Sequence, residues 1–168
     1  AKEFVMMGGG LYANQGAIDP GAIDARREFN WWFDAEATRI VLRAPWKKVT
    51  ITPIDISVKT HFTKEIQATI SKANTPITQY LDKYSLPGYM WDEIAGAALI
   101  DPTIITGQKQ LYMDIDVDHG ASYGKTLFWE ASAQVPPYLR LSTVQFDIDA
   151  EKFYKLYIDL MTRPPRKP

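Results

Sequence analysis

The alternation of short apolar runs with amphipathic segments is the feature that most constrains the fold of this chain. Residues 3–7 form a mostly apolar run that stops at Gly8-Gly9-Gly10, which is typical of a buried strand that ends in a sharp turn. Residues 48–54 form a second β-rich run, and helical patterns lie between and after these runs. Strands that alternate with helices usually build a parallel sheet covered by helices. We therefore predict an α/β fold with an open, mostly parallel, Rossmann-like sheet and flanking helices.

Helical spacing and capping residues predict where the helices lie. Asp34 is an N-cap candidate for a helix that stops at Pro45, and Asp149 is an N-cap candidate for the last helix. Another helix ends at Asp101-Pro102, because the residue before a proline is pushed out of the α region. Three of the predicted helices cover residues 62–73, 77–84 and 92–100.

Alternation of apolar and polar residues appears late in the chain. Residues 110–118 and 125–131 alternate on either side of a glycine-containing turn, which predicts a β-hairpin with one apolar face. Residues 140–148 predict a further strand. The hairpin is expected to be an antiparallel addition at one side of the sheet. Residues 11–27 lack periodicity and predict a long loop, of the kind that is usually functional or mobile in a compact domain.

Length and composition limit the classes of protein to which the chain can belong. Its 168 residues are enough for one domain, and 19 Lys and Arg against 20 Asp and Glu give a net charge of -1. This balance argues against nucleic acid or an anionic membrane as the main partner. The absence of cysteine excludes disulfides, thiolate metal sites and a cysteine nucleophile, and is compatible with any compartment.

Glu28-Phe29-Asn30 is the first candidate site, because it follows the long loop and precedes a capped helix. Ligands of open α/β sheets bind where such loops gather, outside the carboxyl ends of the strands. In an extended segment, Glu28 and Asn30 can point the same way and hold a polyhydroxylated ligand. The alternative is that both residues cap the helix or lie in solvent.

Trp91-Asp92 is the second candidate, at the predicted start of a helix. Asp92 can coordinate a hard cation through oxygen, and Trp91 can offer its ring to a flat ligand. The alternative is that Asp92 is an N-cap and Trp91 fills the core. The pair alone does not decide between these interpretations.

Other polar clusters are expected to be structural. Asp114, Asp116 and Asp118 depart from the EF-hand pattern, and on a strand they would share one solvated face. His61 is expected to lie in a loop or at a helix start and to have no chemical role. The glycines at 8–10 could cradle a phosphate, but no P-loop lysine follows them.

Taken in order, the motifs resemble the C-terminal half of the inosine-uridine-preferring nucleoside hydrolase family. Trp91-Asp92 stands where that family has a calcium-binding aspartate preceded by His or Trp. The similarity extends from about Phe4 to the final helix, so it covers nearly all of the chain. The other motifs that carry it are Met6-Met7-Gly8-Gly9-Gly10, Arg27-Glu28-Phe29-Asn30, Asp34-Ala35-Glu36-Ala37, residues 48–55 and Asp101-Pro102.

The resemblance implies a calcium-dependent hydrolase that cleaves the N-glycosidic bond of ribonucleosides. Carried over to this sequence, Asp92 is a Ca²⁺ ligand, and Glu28 and Asn30 hold ribose hydroxyls. Met7 lines the sugar site, and Asn14 corresponds to a further ribose-binding asparagine. Trp91 in place of His is similar to the purine-preferring branch, in which the base is activated by stacking between aromatic rings.

One departure from the family is large. The N-terminal acidic cluster that supplies most calcium ligands and the general base has no counterpart in these 168 residues. Residues 1–162 are therefore interpreted as the C-terminal portion of one domain, and residues 163–168 as a disordered tail. We expect a second chain or segment to carry the missing cluster, and we expect the isolated chain to be inactive. The sequence is also compatible with a homo-oligomer. The alternative is a non-catalytic member of the same family that binds nucleosides or sugars or has a structural role.

Overall fold

The computed structural model describes residues 2–14, 16 and 27–164, in which a five-stranded sheet is covered by helices. The strand order is β1-β2-β7-β5-β6, and a separate two-stranded sheet pairs β3 with β4. The strands are β1 (Phe4–Met7), β2 (Val49–Thr52), β3 (His61–Phe62), β4 (Gly88–Tyr89), β5 (Ile105–Ile115), β6 (Thr126–Glu130) and β7 (Leu141–Ile148). The helices are α1 (Phe29–Phe33), α2 (Ala35–Arg43), α3 (Ile54–Ser57), α4 (Lys64–Ser71), α5 (Pro76–Tyr84), α6 (Asp92–Ile100) and α7 (Ala150–Thr162).

The predicted fold class is confirmed. Strand β2 pairs in parallel with both β1 and β7, and the remaining strand pairs, β5 with β7 and β5 with β6, are antiparallel. The β5–β6 hairpin is therefore an antiparallel addition at one side of the sheet, as expected. At the opposite side, no strand of the described residues pairs with the outer edge of β1.

Local capping signals located several helices correctly. The Asp34 carboxylate accepts the N–H of Ala37 at the start of α2, and the Asp149 carboxylate accepts the N–H of Lys152 at the start of α7. Such side-chain caps satisfy N–H groups that have no partner within the helix. Two short helices were missed, because α1 falls within bulky aromatic sequence and α3 lies at the end of the run predicted as a strand.

Two hydrophobic clusters join the layers. One packs α1 and α2 against the sheet, with Trp31, Ile51 and Met113 among its buried members. The other joins α3, α4, α6 and α7, with Ile94 and Phe153 fully buried. These clusters fix the two helix layers on a common sheet, and through them the loops at the carboxyl ends of β1 and β2.

Two expectations for polar residues were wrong. Asp114 is buried rather than solvated, because two arginines cover its carboxylate. Arg43 Nη2 lies 2.5 Å from Oδ2, and Arg39 Nε lies 3.7 Å from Oδ1. The strand ends at Ile115, so Asp116 and Asp118 lie in the turn that follows. His61 lies in β3, where its ring packs against Tyr89 of β4 with ring centroids 4.1 Å apart.

Part of the predicted loop over residues 11–27 and the end of the predicted tail, residues 165–168, lie outside the described residues. Among the described residues, no helix combines the length and the apolar character that a membrane crossing requires.

Candidate functional site

A cleft of about 250 Å³ opens at the carboxyl ends of β1 and β2. This is the end of an open α/β sheet at which ligands usually bind. The starts of α1, α3 and α6 form its walls, so residues far apart in the sequence meet there. The cleft is lined by Met7, Glu28, Phe29, Asn30, Ile54, Trp91 and Asp92.

Glu28 forms the polar floor of the cleft. Its side chain is only 4% exposed, and its Oε2 accepts the N–H groups of Gly9 at 2.8 Å and Trp31 at 3.0 Å. Its Oε1 accepts the N–H of Asn30 at 2.9 Å. Glu28 therefore caps α1, as one alternative held, and also ties that helix to the end of β1. Burial raises the pKa of Glu28 above its ordinary value, although the three N–H donors act in the opposite direction.

The glycines after β1 allow a tryptophan ring to lie against the backbone. A Cβ at Gly8 would lie 2.5 Å from the Trp31 ring, and one at Gly9 would lie 2.9 Å from it. Both glycines also have positive φ, at +150° and +74°, which side chains disfavour. The glycine run thus sets the close approach of α1 to β1, and it cradles an indole rather than a phosphate.

Asn30 and Met7 meet at the side of the cleft. The Asn30 Nδ2 donates to the Met7 Sδ at 3.0 Å, and the Asn30 side chain is exposed. A thioether is a weak acceptor, so this amide can exchange the contact for a ligand hydroxyl at little cost. Asn30 therefore presents a donor and an acceptor to whatever occupies the cleft.

Trp91 and Asp92 form the opposite wall. Trp91 occupies the N-cap position of α6 without a side-chain capping bond, so the alternative in which Asp92 is the N-cap does not hold. The Asp92 carboxylate is exposed in the first turn and makes no hydrogen bond or ion pair within the described part of the chain. The Trp91 ring is half-buried and lies 5.3 Å from the Tyr89 ring. Trp91 is thus a cleft wall rather than a core residue.

Asn14 lies in a neighbouring cleft of about 200 Å³, which shares Glu28 with the first. The other residues that line this second cleft are Gly10, Leu11, Tyr12, Ala13, Arg27, Lys125, Thr126 and Phe128.

Comparison with known proteins identifies the family of the chain. The family model described as inosine-uridine preferring nucleoside hydrolase matches residues 1–155 of the chain. The chain belongs to this family. An inosine-uridine preferring nucleoside hydrolase of Leishmania major is 30% identical over 174 residues, covering 96% of this chain and 52% of that protein. A pyrimidine-specific ribonucleoside hydrolase RihB of Escherichia coli O157:H7 is 28% identical over 169 residues, covering 92% and 50%.

Solved structures of nucleoside hydrolases share the fold. The plant nucleoside hydrolase PpNRh1 superposes with a TM-score of 0.80 at 19% identity, covering 96% of this chain and 54% of that chain. A purine-preferring ribonucleoside hydrolase from Gardnerella vaginalis gives 0.74 at 22% identity, covering 95% and 52%. The chain thus spans about half the length of these nucleoside hydrolases.

Two residues that hold the backbone lining the second cleft were missed at the sequence level. The Asp55 carboxylate accepts the N–H groups of Leu11, Tyr12 and Ala13, and the Thr126 hydroxyl accepts the N–H of Gly10. For Asp55, the only local signal in the sequence is its position two residues after Pro53, at the end of a β-rich run. Nothing near Thr126 in the sequence indicates that it meets residue 10.

The metal that the family implies needs more ligands than the described residues offer. Ca²⁺ takes 6–8 oxygen ligands. Across residues 2–14, 16 and 27–164, no three His, Asp or Glu side chains come together as a metal site requires. In the first cleft, the carboxylate of Asp92 is exposed. The carboxylate of Glu28 is buried and accepts backbone N–H groups. The described residues alone therefore do not fit a calcium ion.

Proposed function

We propose that this protein is part of a nucleoside hydrolase that cleaves the N-glycosidic bond of ribonucleosides, with purine nucleosides preferred. The observation that carries the proposal is the first cleft. Three separate stretches of the chain, at Met7, Glu28 to Asn30 and Trp91-Asp92, meet there at the carboxyl end of the sheet. Family membership favours the same reaction.

Glu28 and Asn30 are proposed to bind the ribose hydroxyls. The Glu28 Oε1 accepts one N–H, and a carboxylate oxygen has room for a second donor, such as a sugar hydroxyl. The exposed Asn30 amide can donate and accept at once. Positive charge develops on the sugar as the glycosidic bond breaks, and oxygen dipoles fixed beside it stabilise that charge. The rigid floor around Glu28 keeps these dipoles in place before the substrate arrives.

Trp91 is proposed to stack on the base. Its ring forms a wall of the cleft and lies against the Tyr89 ring, with centroids 5.3 Å apart. Stacking on an indole suits the larger surface of a purine better than that of a pyrimidine, which supports the purine preference. Relatives include a pyrimidine-specific enzyme, so uridine is the substrate against which inosine has to be compared.

We propose that Asp92 supplies one ligand of a calcium site that a second chain or segment completes. Two observations support a second segment. The chain spans about half the length of its relatives, and the outer edge of β1 is unpaired within the described residues. An open strand edge is a template for pairing with another strand. The segment would carry the missing carboxylates and the general base, and the isolated chain would be inactive.

The faces beside β1 are apolar enough to receive such a segment. A groove of about 300 Å³ between β1 and the α1–α2 pair is lined largely by apolar side chains, among them Met6 and Phe33. Phe33 is 75% exposed, and Leu99 on α6 is 63% exposed. Large apolar side chains beside an unpaired edge are typical of a surface that another element covers. A second copy of this chain is the competing occupant.

The test starts from protein purified from its source together with any chain that accompanies it. Mass spectrometry and gel filtration would identify the accompanying chain, and release of free base from inosine and from uridine would be measured with and without chelator. We expect base release from inosine, lost in chelator and restored by Ca²⁺, only when the second chain is present. A chain that purifies alone as one monodisperse species would contradict the proposal, whether it releases base at the same rate with and without chelator or releases none.

The alternative function is nucleoside or sugar binding without catalysis, or a structural role. The retention of Glu28, Asn30 and Asp92 around one cleft argues against a decayed site. Inosine binding that persists in chelator, with no base release from the complete assembly, would favour this alternative.

A further inference from the structure

The backbone that leaves β1 is held amide by amide. Every N–H from residue 8 to residue 13 donates to an acceptor elsewhere in the chain. Gly8 donates to the carbonyl of Thr52, Gly9 to the carboxylate of Glu28, Gly10 to the hydroxyl of Thr126, and Leu11, Tyr12 and Ala13 to the carboxylate of Asp55. Such complete pairing is unusual for a surface segment without secondary structure. The segment is thus held in one conformation.

Asp55 holds half of these amides. Its Oδ2 lies 2.8 Å from the Leu11 N, and its Oδ1 lies 2.8 Å from the Tyr12 N and 2.9 Å from the Ala13 N. All three partners are donors, so an acceptor-only carboxylate fits and an asparagine amide does not. An Asn at this position would keep one acceptor oxygen and turn its NH₂ towards another N–H.

The position of Asp55 suits this role. It lies just after β2, in the first turn of α3, and that helix is capped at Pro53 without a side-chain bond. Its carboxylate is therefore committed to the segment after β1, 42 to 44 residues earlier in the chain. Tyr12, in the middle of that segment, is 78% exposed and contributes little to the core.

The next residue after the held segment is Asn14, which lines the second cleft beside Glu28. The position of its side chain is set by the backbone that Asp55 holds. The second cleft, which Asn14 lines, shares Glu28 with the first cleft, so Asn14 and a ligand in the first cleft would lie on either side of the same carboxylate.

We propose that Asp55 is a positioning residue, which fixes Asn14 beside the sugar and acts on the substrate through Asn14. The proposal rests on the proposed function, since it requires a ribose next to Glu28. It goes further in assigning a role to a residue outside the cleft and in predicting that its effect depends on Asn14.

Amide hydrogen exchange tests the first half without any substrate. In D55N, at least one of the N–H groups of residues 11–13 should exchange at least about tenfold faster than in the wild type, because the NH₂ that replaces one carboxylate oxygen cannot accept it. The control is D149N, which removes one capping carboxylate at α7, far along the chain, and should leave residues 11–13 unchanged. Unchanged exchange of residues 11–13 in D55N would overturn the proposal.

A double-mutant cycle on the active assembly tests the second half. D55N and N14A should each lower kcat/KM for inosine by roughly tenfold or more, and D55N should cause no further loss when N14A is already present. Two results would overturn the action through Asn14. One is that D55N lowers kcat/KM as much in the N14A background as in the wild type. The other is that kcat/KM of D55N is normal although its N–H groups in residues 11–13 exchange faster. A wild type that releases no base refutes the proposed function instead, and hydrogen exchange then still decides whether Asp55 holds the segment.

Discussion

Replacement of Glu28 offers the sharpest test of how the cleft is built. Its carboxylate joins the N–H of Gly9, after β1, to those of Asn30 and Trp31, in the first turn of α1. Glu28→Gln keeps the shape of the side chain but leaves it one acceptor oxygen. Glu28→Ala removes every acceptor.

The size of each effect follows from these bonds. In E28Q, the amide oxygen can take the place of Oε2 and keep Gly9 and Trp31, while its NH₂ faces the Asn30 N–H. One unpaired donor costs about 1–2 kcal/mol of unfolding free energy. In E28A, the buried N–H groups of Gly9 and Trp31 also lose their acceptor, and α1 loses its cap. The total is then about 3–5 kcal/mol.

Urea unfolding followed by tryptophan fluorescence measures both variants on the same chain. The matched control is E151Q, because Glu151 is an exposed glutamate in the first turn of α7. E151Q should change the unfolding free energy by less than about 0.5 kcal/mol. Equal stability of the wild type, E28Q and E28A would refute the reasoning, since it would mean that the carboxylate does not hold β1 and α1 together.

Three further predictions concern stability. Asp114→Ala should cost about 2–3 kcal/mol by urea unfolding, because it leaves Arg39 and Arg43 without their buried carboxylate; a loss no larger than that of the exposed variant D118A would contradict this. Gly8→Ala should lower Tm and the soluble yield, because its Cβ would meet the Trp31 ring; normal Tm would show that the ring moves at no cost. Because burial raises the pKa of Glu28, the native state holds that proton longer, and unfolding free energy should fall relative to E28Q as pH rises from 4.5 through the folded pKa; a difference between the two proteins that is flat with pH would contradict this.

Features with a local cause could be predicted from the sequence. Asp34 and Asp149 cap helices because their side chains reach N–H groups three residues away, which is visible as a short motif. The glycine stop after β1 and the hairpin near the end are local in the same sense. The motif resemblance also predicted one shared site for five residues, and all five line the first cleft. They are Met7, Glu28, Asn30, Trp91 and Asp92.

Features that depend on tertiary packing could not be predicted in this way. Strand β7 enters the sheet between β2 and β5, a placement set by the whole sheet rather than by its own residues. Asp114 is buried because α2 places two arginines over β5, so strand alternation alone gave the wrong environment. Asp55 serves a segment more than 40 residues away, and no spacing in the sequence marks that relation.

The central claim is that Asp92 faces a ribonucleoside and supplies a metal ligand. The most direct measurement is base release from inosine by the complete assembly, with D92N compared with E93Q. Glu93 is the neighbouring exposed carboxylate in the same turn of α6 and does not line the first cleft, so it is a matched control. We predict a loss of at least about 100-fold in kcat for D92N and near-normal activity for E93Q. Equal activity of the two variants would contradict the account.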